Sequence, residues 1–148
     1  MTNANTIAVL QVPAFSPLCN AAFAVRREVF VHEQHVPEEL EHDADDFTAF
    51  HFVAILEGEV VGTLRVIDKP EHAKIGRVAV LKRWRGRGAA KAMILAAMDF
   101  MREKGQHRFY LTAQTDKLGM YEKLGFTAFG EIFDDAGMPH RAMRTYEG

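Results

Sequence analysis

Basic side chains surround two glycines near the middle of the chain, and this combination of residue types suits the binding of an anion. The strand-like residues 75–80 precede them, and a run without glycine or proline follows as far as residue 104. A strand would thus lead through a glycine-rich turn into a helix, whose unpaired N–H groups and positive dipole end attract phosphate. The glycines are Gly86 and Gly88, and the cations are Lys82, Arg83, Arg85, Arg87 and Lys91.

Two common phosphate-binding motifs fit this segment poorly. The loop of nucleoside-triphosphate enzymes ends in Gly-Lys-Ser or Gly-Lys-Thr, which the segment lacks. The dinucleotide fingerprint needs a third glycine where Lys91 stands, and it usually follows the first strand of its unit. Taken alone, the segment is either another anion-binding turn or a solvated helix start with a basic face.

Length and composition favour one soluble domain that spans residues 1–148. The 48% apolar and 26% charged residues are ordinary for a globular protein. A formal net charge of −2 gives no bulk attraction to nucleic acid. The single Cys19 cannot form an internal disulfide and is expected to fill the core. No apolar run is long enough to span a membrane. We therefore expect a cytoplasmic protein without nucleic-acid or membrane partners.

Acidic and basic residues are separated along the chain. Residues 28–64 contain ten acidic residues and no Lys or Arg, whereas residues 72–98 contain seven Lys and Arg and no acidic residue. Two facing walls of opposite charge would place a cationic substrate opposite an anionic cofactor. Two solvated surface patches would have the same sequence, so both arrangements remain open at this point.

The hydrophobic pattern predicts alternating strands and helices. In the first part we expect a strand at residues 7–12, a helix at 20–31, and a loop at 38–46 that is too charged to pack. A hairpin of strands 50–56 and 60–67 follows, then a strand at 74–80 and a helix at 89–103 that Gly105 ends.

In the last part we expect a strand at 109–113 and a short helix capped by Thr115 or Asp116 and stopped by Gly125. Strands at 126–133 and 141–146, joined by a loop at 134–139, complete the chain. This order predicts an α/β (α+β) domain with helices covering a mixed sheet. The crossover through helix 89–103 predicts that strand 109–113 lies parallel to strand 74–80.

Several stretches resemble the GNAT superfamily of N-acetyltransferases. Arg83-x-x-Gly86-x-Gly88 matches its acyl-CoA pyrophosphate loop, and Tyr121-Glu122-Lys123-Leu124-Gly125-Phe126 matches a signature that follows the cofactor helix. Residues 30–37, with Glu33 and Gln34, and residues 137–143, with His140, resemble the small ElaA/YjcF-like branch. The resemblance implies the GNAT acyl-CoA N-acyltransferase fold, a mixed central sheet of about six to seven strands flanked by about four helices.

The resemblance implies acetyl-CoA as co-substrate and no metal. In the family, coenzyme A lies between two splayed parallel strands, strand backbone pairs with its pantetheine arm, and the glycine-rich turn holds its pyrophosphate. An N–H of residues 78–80 would face the developing oxyanion, although these residues also suit a simple buried strand. The implied cofactor-binding residues are Val78, Ala79, Val80, Arg83, Arg85, Gly86, Arg87, Gly88, Ala89, Ala90 and Lys123.

The resemblance also implies catalytic residues. Tyr121 matches the tyrosine that donates a proton to the departing thiolate, a transfer that phenol and thiol pKa values near 10 and about 8.5 allow. A core tyrosine is the structural alternative. Glu33 is the expected base, or it binds a cationic group, and His51 and His140 are alternatives. Gln114 stands near an asparagine position of many relatives, so it joins the two histidines as an acceptor-site residue.

The implied function is acetyl-CoA-dependent acetyl transfer to a primary amine of a small molecule or peptide, by direct attack in a ternary complex. A CoA-binding regulatory module with a degenerate acceptor site is the alternative, and a nucleic-acid-binding domain is a third possibility that the net charge disfavours. Residues His32, His35, His42 and Asp43 lack the spacing of a metal site. Because family members often dimerise, a homodimer is also expected.

Overall fold

Seven strands form one mixed sheet in the order β1-β2-β3-β4-β5-β7-β6. The computed structural model describes residues 6–148. Within this part, β4 and β5 are parallel and the other neighbouring strands are antiparallel, which confirms the predicted crossover. The strands are β1 (Ala8–Val12), β2 (Phe50–Leu56), β3 (Glu59–Asp68), β4 (Ala73–Val80), β5 (Phe109–Gln114), β6 (Thr127–Asp135) and β7 (Met138–Arg144).

The longest helix occupies the bounds expected from the sequence, whereas the first begins earlier than predicted. Ser16 caps the first helix by accepting a hydrogen bond from the Cys19 N–H at 3.2 Å, and Pro17 suits the first turn because it has no N–H to satisfy. The helices are α1 (Pro17–Arg26), which continues as a π-helical turn (Arg27–Glu33), α2 (Glu38–Glu41), a 3₁₀ turn (Ala44–Phe47), α3 (Ala89–Glu103) and α4 (Leu118–Glu122).

Helix α3 covers one face of the sheet and α1 covers part of the other. The buried side of α3 belongs to the main core, and the helix lies against β1, β2, β3 and β4. Cys19 and Ala22 of α1 pack with Val12 and Val53, so the packing role expected for Cys19 is confirmed. Each fully buried large apolar side chain contributes roughly 1.5–3 kcal/mol. The buried α3 residues are Ala89, Met93, Ile94, Ala97, Met98 and Met101.

The acidic segment (residues 38–46) packs against the domain, so the prediction that it is too charged to pack was wrong. Glu41 is 2% exposed and Asp46 is 7% exposed. Arg26 of α1 donates to Glu41, and its Nη1 lies 2.7 Å from Asp46 Oδ1. Arg65 of β3 donates to the same Asp46 oxygen at 2.8 Å. Pairing of this kind compensates the large desolvation cost of burying carboxylates.

Two further local predictions were wrong. Strands β6 and β7 meet at a two-residue turn, Ala136-Gly137, where a six-residue loop was expected. Both turn residues have positive φ, +53° and +82°, as the tight turn that matches strand twist requires. A 3₁₀ turn (Thr115–Lys117) precedes α4, and no side chain caps that helix, so neither Thr115 nor Asp116 has its expected role.

Candidate functional site

Strands β4 and β5 separate from each other and leave a cleft. Their described pairing consists of Ala73 with Phe109 and Lys74 with Tyr110. Beyond these pairs a cavity of about 650 Å³ is lined by Gly76 and residues 78–80 of β4 and by residues 111–114 of β5. The β4 backbone along this edge has no strand partner there, so its polar groups can bind a ligand.

A bulge in β4 shapes the wall of this cleft. Ala79 pairs with Thr63 of β3 and Gly76 pairs with Arg65, so β4 has two residues where β3 has one. Arg77 is one of the two, and its φ of +49° lies in the left-handed region. Bulges bend a strand and redirect its groups, and this one lies where β4 departs from β5.

The acidic segment anchors the bulge from outside the cleft. The Arg77 guanidinium donates to the carbonyl oxygens of Glu41 at 3.1 Å and Leu40 at 3.3 Å, and to Asp43 at 3.3 Å. Holding a non-glycine residue at positive φ costs free energy, which these contacts offset. The acidic segment therefore acts on the cleft indirectly, through Arg77.

The glycine turn (residues 83–90) brings backbone N–H groups to one end of the cleft. Gly86 and Gly88 have φ of +81° and +85°, and a Cβ at either position would meet nothing within 4 Å. Gly88 is the N-cap of α3 and no side chain caps this helix. The first N–H groups of a 15-residue helix are therefore available to an anion.

The predicted basic ligands of this turn fall into two groups. Arg85 lines the cleft, as does Lys91. Arg83 instead pairs with Glu59 of β3, and Arg87 lies 4.9 Å from the centre of the Trp84 ring. These two arginines lie outside the cleft lining, as does exposed Lys123. The backbone of the turn and Lys91 thus form the positive end of the site, where Arg85 also lies.

Glu33 connects the π-helical turn to the glycine turn. Arg85 Nη1 and Nη2 each lie 2.7 Å from one Glu33 oxygen, and Arg85 Nε donates to the Val80 carbonyl at 2.9 Å. The hydrogen bond from Arg85 is the main cause of a lowered Glu33 pKa. Glu33 lines the cleft as predicted, but the pairing keeps its carboxylate ionised and occupied.

Tyr121 of α4 lines the same cleft and is only 6% exposed. Its ring meets Phe126 edge to face with centroids 6.0 Å apart. Burial raises the pKa of Tyr121 to about 12. The phenol is protonated at neutral pH, as one with an ordinary pKa near 10 would also be, and the raised pKa makes it a weaker acid.

Gln114 and His140 face each other across β5 and β7 and both line the cleft. Gln114 Nε2 donates to Gln34 Oε1 at 3.2 Å, which ties β5 to the end of the π-helical turn. His140 Nδ1 lies 2.9 Å from the Met138 carbonyl oxygen. Since a carbonyl only accepts, Nδ1 carries the hydrogen and Nε2 is left as the acceptor.

His51 is not part of this arrangement. It is buried on β2, with Nε2 2.8 Å from the Asp46 carbonyl oxygen, and it lies outside the cleft lining. The structure thus brings Tyr121, Glu33, Gln114 and His140 together and places His51 beneath the acidic segment. It also adds Gln34 and Arg77, to which sequence reasoning gave no role.

The structure also bears on metal binding and on membrane-spanning helices. Residues 6–148 contain no group of three or more His, Cys, Asp or Glu side chains placed to hold a metal ion. Within the same residues, each helix is too short or too polar to cross a bilayer.

Comparison with known proteins identifies the family. Residues 11–147 match the model of the acetyltransferase (GNAT) domain. YjcF from Bacillus subtilis, an uncharacterized N-acetyltransferase, is 37% identical over 123 residues, which cover 82% of this chain and 88% of YjcF.

Solved structures agree with this assignment. Escherichia coli ElaA superposes with a TM-score of 0.84 at 25% identity, covering 95% of this chain and 100% of ElaA. An acyl-CoA N-acyltransferase from Pseudomonas aeruginosa gives 0.82 at 28% identity, covering 95% and 100%. The chain therefore belongs to the GNAT family of acetyltransferases, in the branch that contains ElaA and YjcF.

Proposed function

We propose that the chain transfers an acetyl group from acetyl-CoA to a primary amine of a small molecule or peptide, by direct attack in a ternary complex. The observation that carries this proposal is the cleft, where an unpaired edge of β4 leads to the uncapped start of α3. The arrangement offers backbone hydrogen bonds along one wall and an anion site at its end. Homodimerisation stays a prediction.

The residues present fit acetyl-CoA. The free β4 edge at residues 78–80 suits the amides of the pantetheine arm, and the space above Gly86 and Gly88 admits a pyrophosphate close to the backbone. Lys91 adds positive charge at that end, whereas the charge of Arg85 is compensated by Glu33. When bound, acetyl-CoA supplies the acetyl group as a thioester, whose carbonyl carbon the amine attacks as the C–S bond breaks.

Two side chains move the protons in this proposal. Tyr121 donates its phenolic proton to the departing thiolate, because its side chain lines the cleft and a phenol is protonated at neutral pH. His140 Nε2 accepts the proton that the attacking nitrogen loses, because Nδ1 is engaged with Met138. A backbone N–H of residues 78–80 stabilises the oxyanion.

Glu33 has a positioning role in this proposal. Both of its oxygens accept hydrogen bonds from Arg85, and its pKa is lowered, so it is a weaker proton acceptor than an imidazole. The pair fixes the π-helical turn against the glycine turn and so sets the width of the cleft. The hydrogen bond from Gln114 to Gln34 ties the end of the same π-helical turn to β5.

The test combines binding and turnover. We expect acetyl-CoA to bind in a calorimetric titration and to acetylate members of a panel of amino acids, peptides and polyamines. Tyr121→Phe should lower kcat about 100-fold and leave the acetyl-CoA Kd unchanged, because the ring stays and only the proton donor is lost. Acetyl-CoA binding without transfer to any amine would favour the regulatory module. A wild-type kcat in Tyr121→Phe would contradict the proton-donor role.

A further inference from the structure

Two cations and a tyrosine occupy one cross-strand row on the face of the sheet opposite α3. Lys74 of β4 pairs with Tyr110 of β5, and Tyr110 pairs with Arg144 of β7. Neighbouring strands lie roughly 4.8 Å apart, so the Cα atoms of the two cations are about 10 Å apart. This cationic row faces away from α3. Each of its residues is next in sequence to one that lies in the main core with α3, namely Ile75, Leu111 and Met143. Adjacent residues of a strand point to opposite faces of the sheet.

The charges of the cationic row have no carboxylate partner. Across residues 6–148, neither Lys74 nor Arg144 takes part in an ion pair, in contrast to Arg26, Arg65 and Arg77. Burial lowers the pKa of Lys74, and the positive charges of Lys69, Arg65 and Arg77 lower it further; Asp45 acts in the opposite direction. A bound anion would compensate this excess of positive charge.

Aromatic contacts hold two members of the row, Arg144 and Tyr110, in place. The Arg144 guanidinium lies 4.1 Å from the centre of the Phe129 ring. The His72 ring stacks on Tyr110 with centroids 4.6 Å apart and planes 8° apart. His72 is itself fixed by Tyr146, whose hydroxyl lies 2.6 Å from His72 Nδ1. Groups that are already ordered lose little conformational entropy when a ligand binds.

The row lies at a defined distance from the cleft. Thr112 and Gln114 follow Tyr110 on the same face of β5, two and four residues further along, and both line the cleft. A strand rises about 3.3 Å per residue, so these positions are roughly 7 and 13 Å from the row. An extended chain of roughly two to four residues spans that distance.

We propose that the cationic row binds the carboxylate of the acceptor, and that the acceptor class is a short peptide or an amino acid of similar length with a free carboxylate. This inference rests on the proposed function, because the amine in the cleft is the other anchor of the ligand. The inference disfavours two other acceptor classes. A polyamine would bring a second positive charge to the cationic row, and a simple alkylamine would bring no charge to it.

The test uses a matched pair of ligands. We expect Ala-Ala-Ala to bind to the CoA-saturated protein about tenfold more tightly than its C-terminal amide, since one charge-assisted contact distinguishes them. Lys74→Gln and Arg144→Gln should each reduce that preference. Arg141→Gln should keep it, because Arg141 lies on β7 beside Ala113, on the face opposite the row. Free alanine should show no preference over alaninamide, because its carboxylate cannot reach the row.

The outcomes separate the two proposals. Three results would overturn the acceptor inference. The first two are equal affinity for the peptide and its amide, and no binding of either. The third is a carboxylate preference that persists in both row variants when these variants melt at the wild-type temperature. Acetyl-CoA binding and transfer to neutral amines would leave the proposed function standing in that case. The same peptides are also titrated into protein without CoA. If they show the carboxylate preference there and acetyl-CoA itself does not bind, the result would support the cationic row and overturn the proposed function.

Discussion

The acidic segment and the glycine turn are both highly charged, yet the structure uses their charges differently. Arginines from α1, β3 and β4 satisfy the acidic segment internally. The glycine turn keeps its arginines near the surface and leaves the N–H groups at the start of α3 without a side-chain cap. Residues of the basic stretch pair directly with residues of the acidic stretch, as Arg85 does with Glu33. Burial and pairing, rather than the number of charges, therefore decide whether a charged stretch stabilises the fold or stays accessible to a ligand.

The largest effect should come from removing Arg26. Arg26→Met leaves Glu41 and Asp46 buried beside an apolar side chain, and loss of one partner from a buried network costs about 3–5 kcal/mol. Urea denaturation measures this loss. Arg87→Met in the glycine turn is the control, and it should change the free energy of unfolding by less than about 1 kcal/mol. Similar losses of unfolding free energy in the two variants would show that the acidic segment and the glycine turn do not differ in how they stabilise the fold.

Acid should destabilise the protein through the acidic segment. Burial alone would raise the pKa of Asp46, but hydrogen bonds and charges of Arg26 and Arg65 outweigh it and hold that pKa well below its ordinary value. A lowered pKa contributes stability that is present above the unfolded value near 4 and is lost as the pH falls. Unfolding free energies between pH 5 and pH 2 should therefore decline, and decline less steeply in Asp46→Asn. Equal slopes would contradict this account.

The smallest effect should come from Arg83, although the sequence placed it at the pyrophosphate. Its ion pair with Glu59 joins side chains that are 63% and 44% exposed. Exposed pairs contribute about 0.2–1 kcal/mol, so Arg83→Gln should hardly change the melting temperature. The acetyl-CoA Kd should stay within about threefold, since the side chain lies outside the cleft lining. A tenfold weaker Kd would show that Arg83 turns toward the ligand.

Local patterns predicted much of the fold. The bounds of α3 followed from its periodicity and from the glycines before and after it, and the parallel partner of β4 followed from the crossover. Burial of the acidic segment could not be predicted, because Asp46 depends on Arg65, which lies 19 residues away in sequence. Composition within a window contains no information about such partners.

The site was predicted unevenly for the same reason. Motifs indicated Tyr121 and the glycine turn, and both line the cleft. His51 was a candidate because it lies near a strand end, but the sequence does not say which element covers that position. Arg77 escaped notice because only the pairing register reveals the bulge and only the fold reveals what holds it.

We propose that backbone N–H groups of the glycine turn bind the pyrophosphate of acetyl-CoA. The measurement that tests this is the Kd of acetyl-CoA for the variant Gly86→Asp. The control is Gly130→Asp, which introduces the same carboxylate at another open position of positive φ, on β6. We predict at least about tenfold weaker binding for Gly86→Asp, because a carboxylate there repels the phosphates, and unchanged binding for Gly130→Asp. Wild-type affinity in Gly86→Asp would contradict the account.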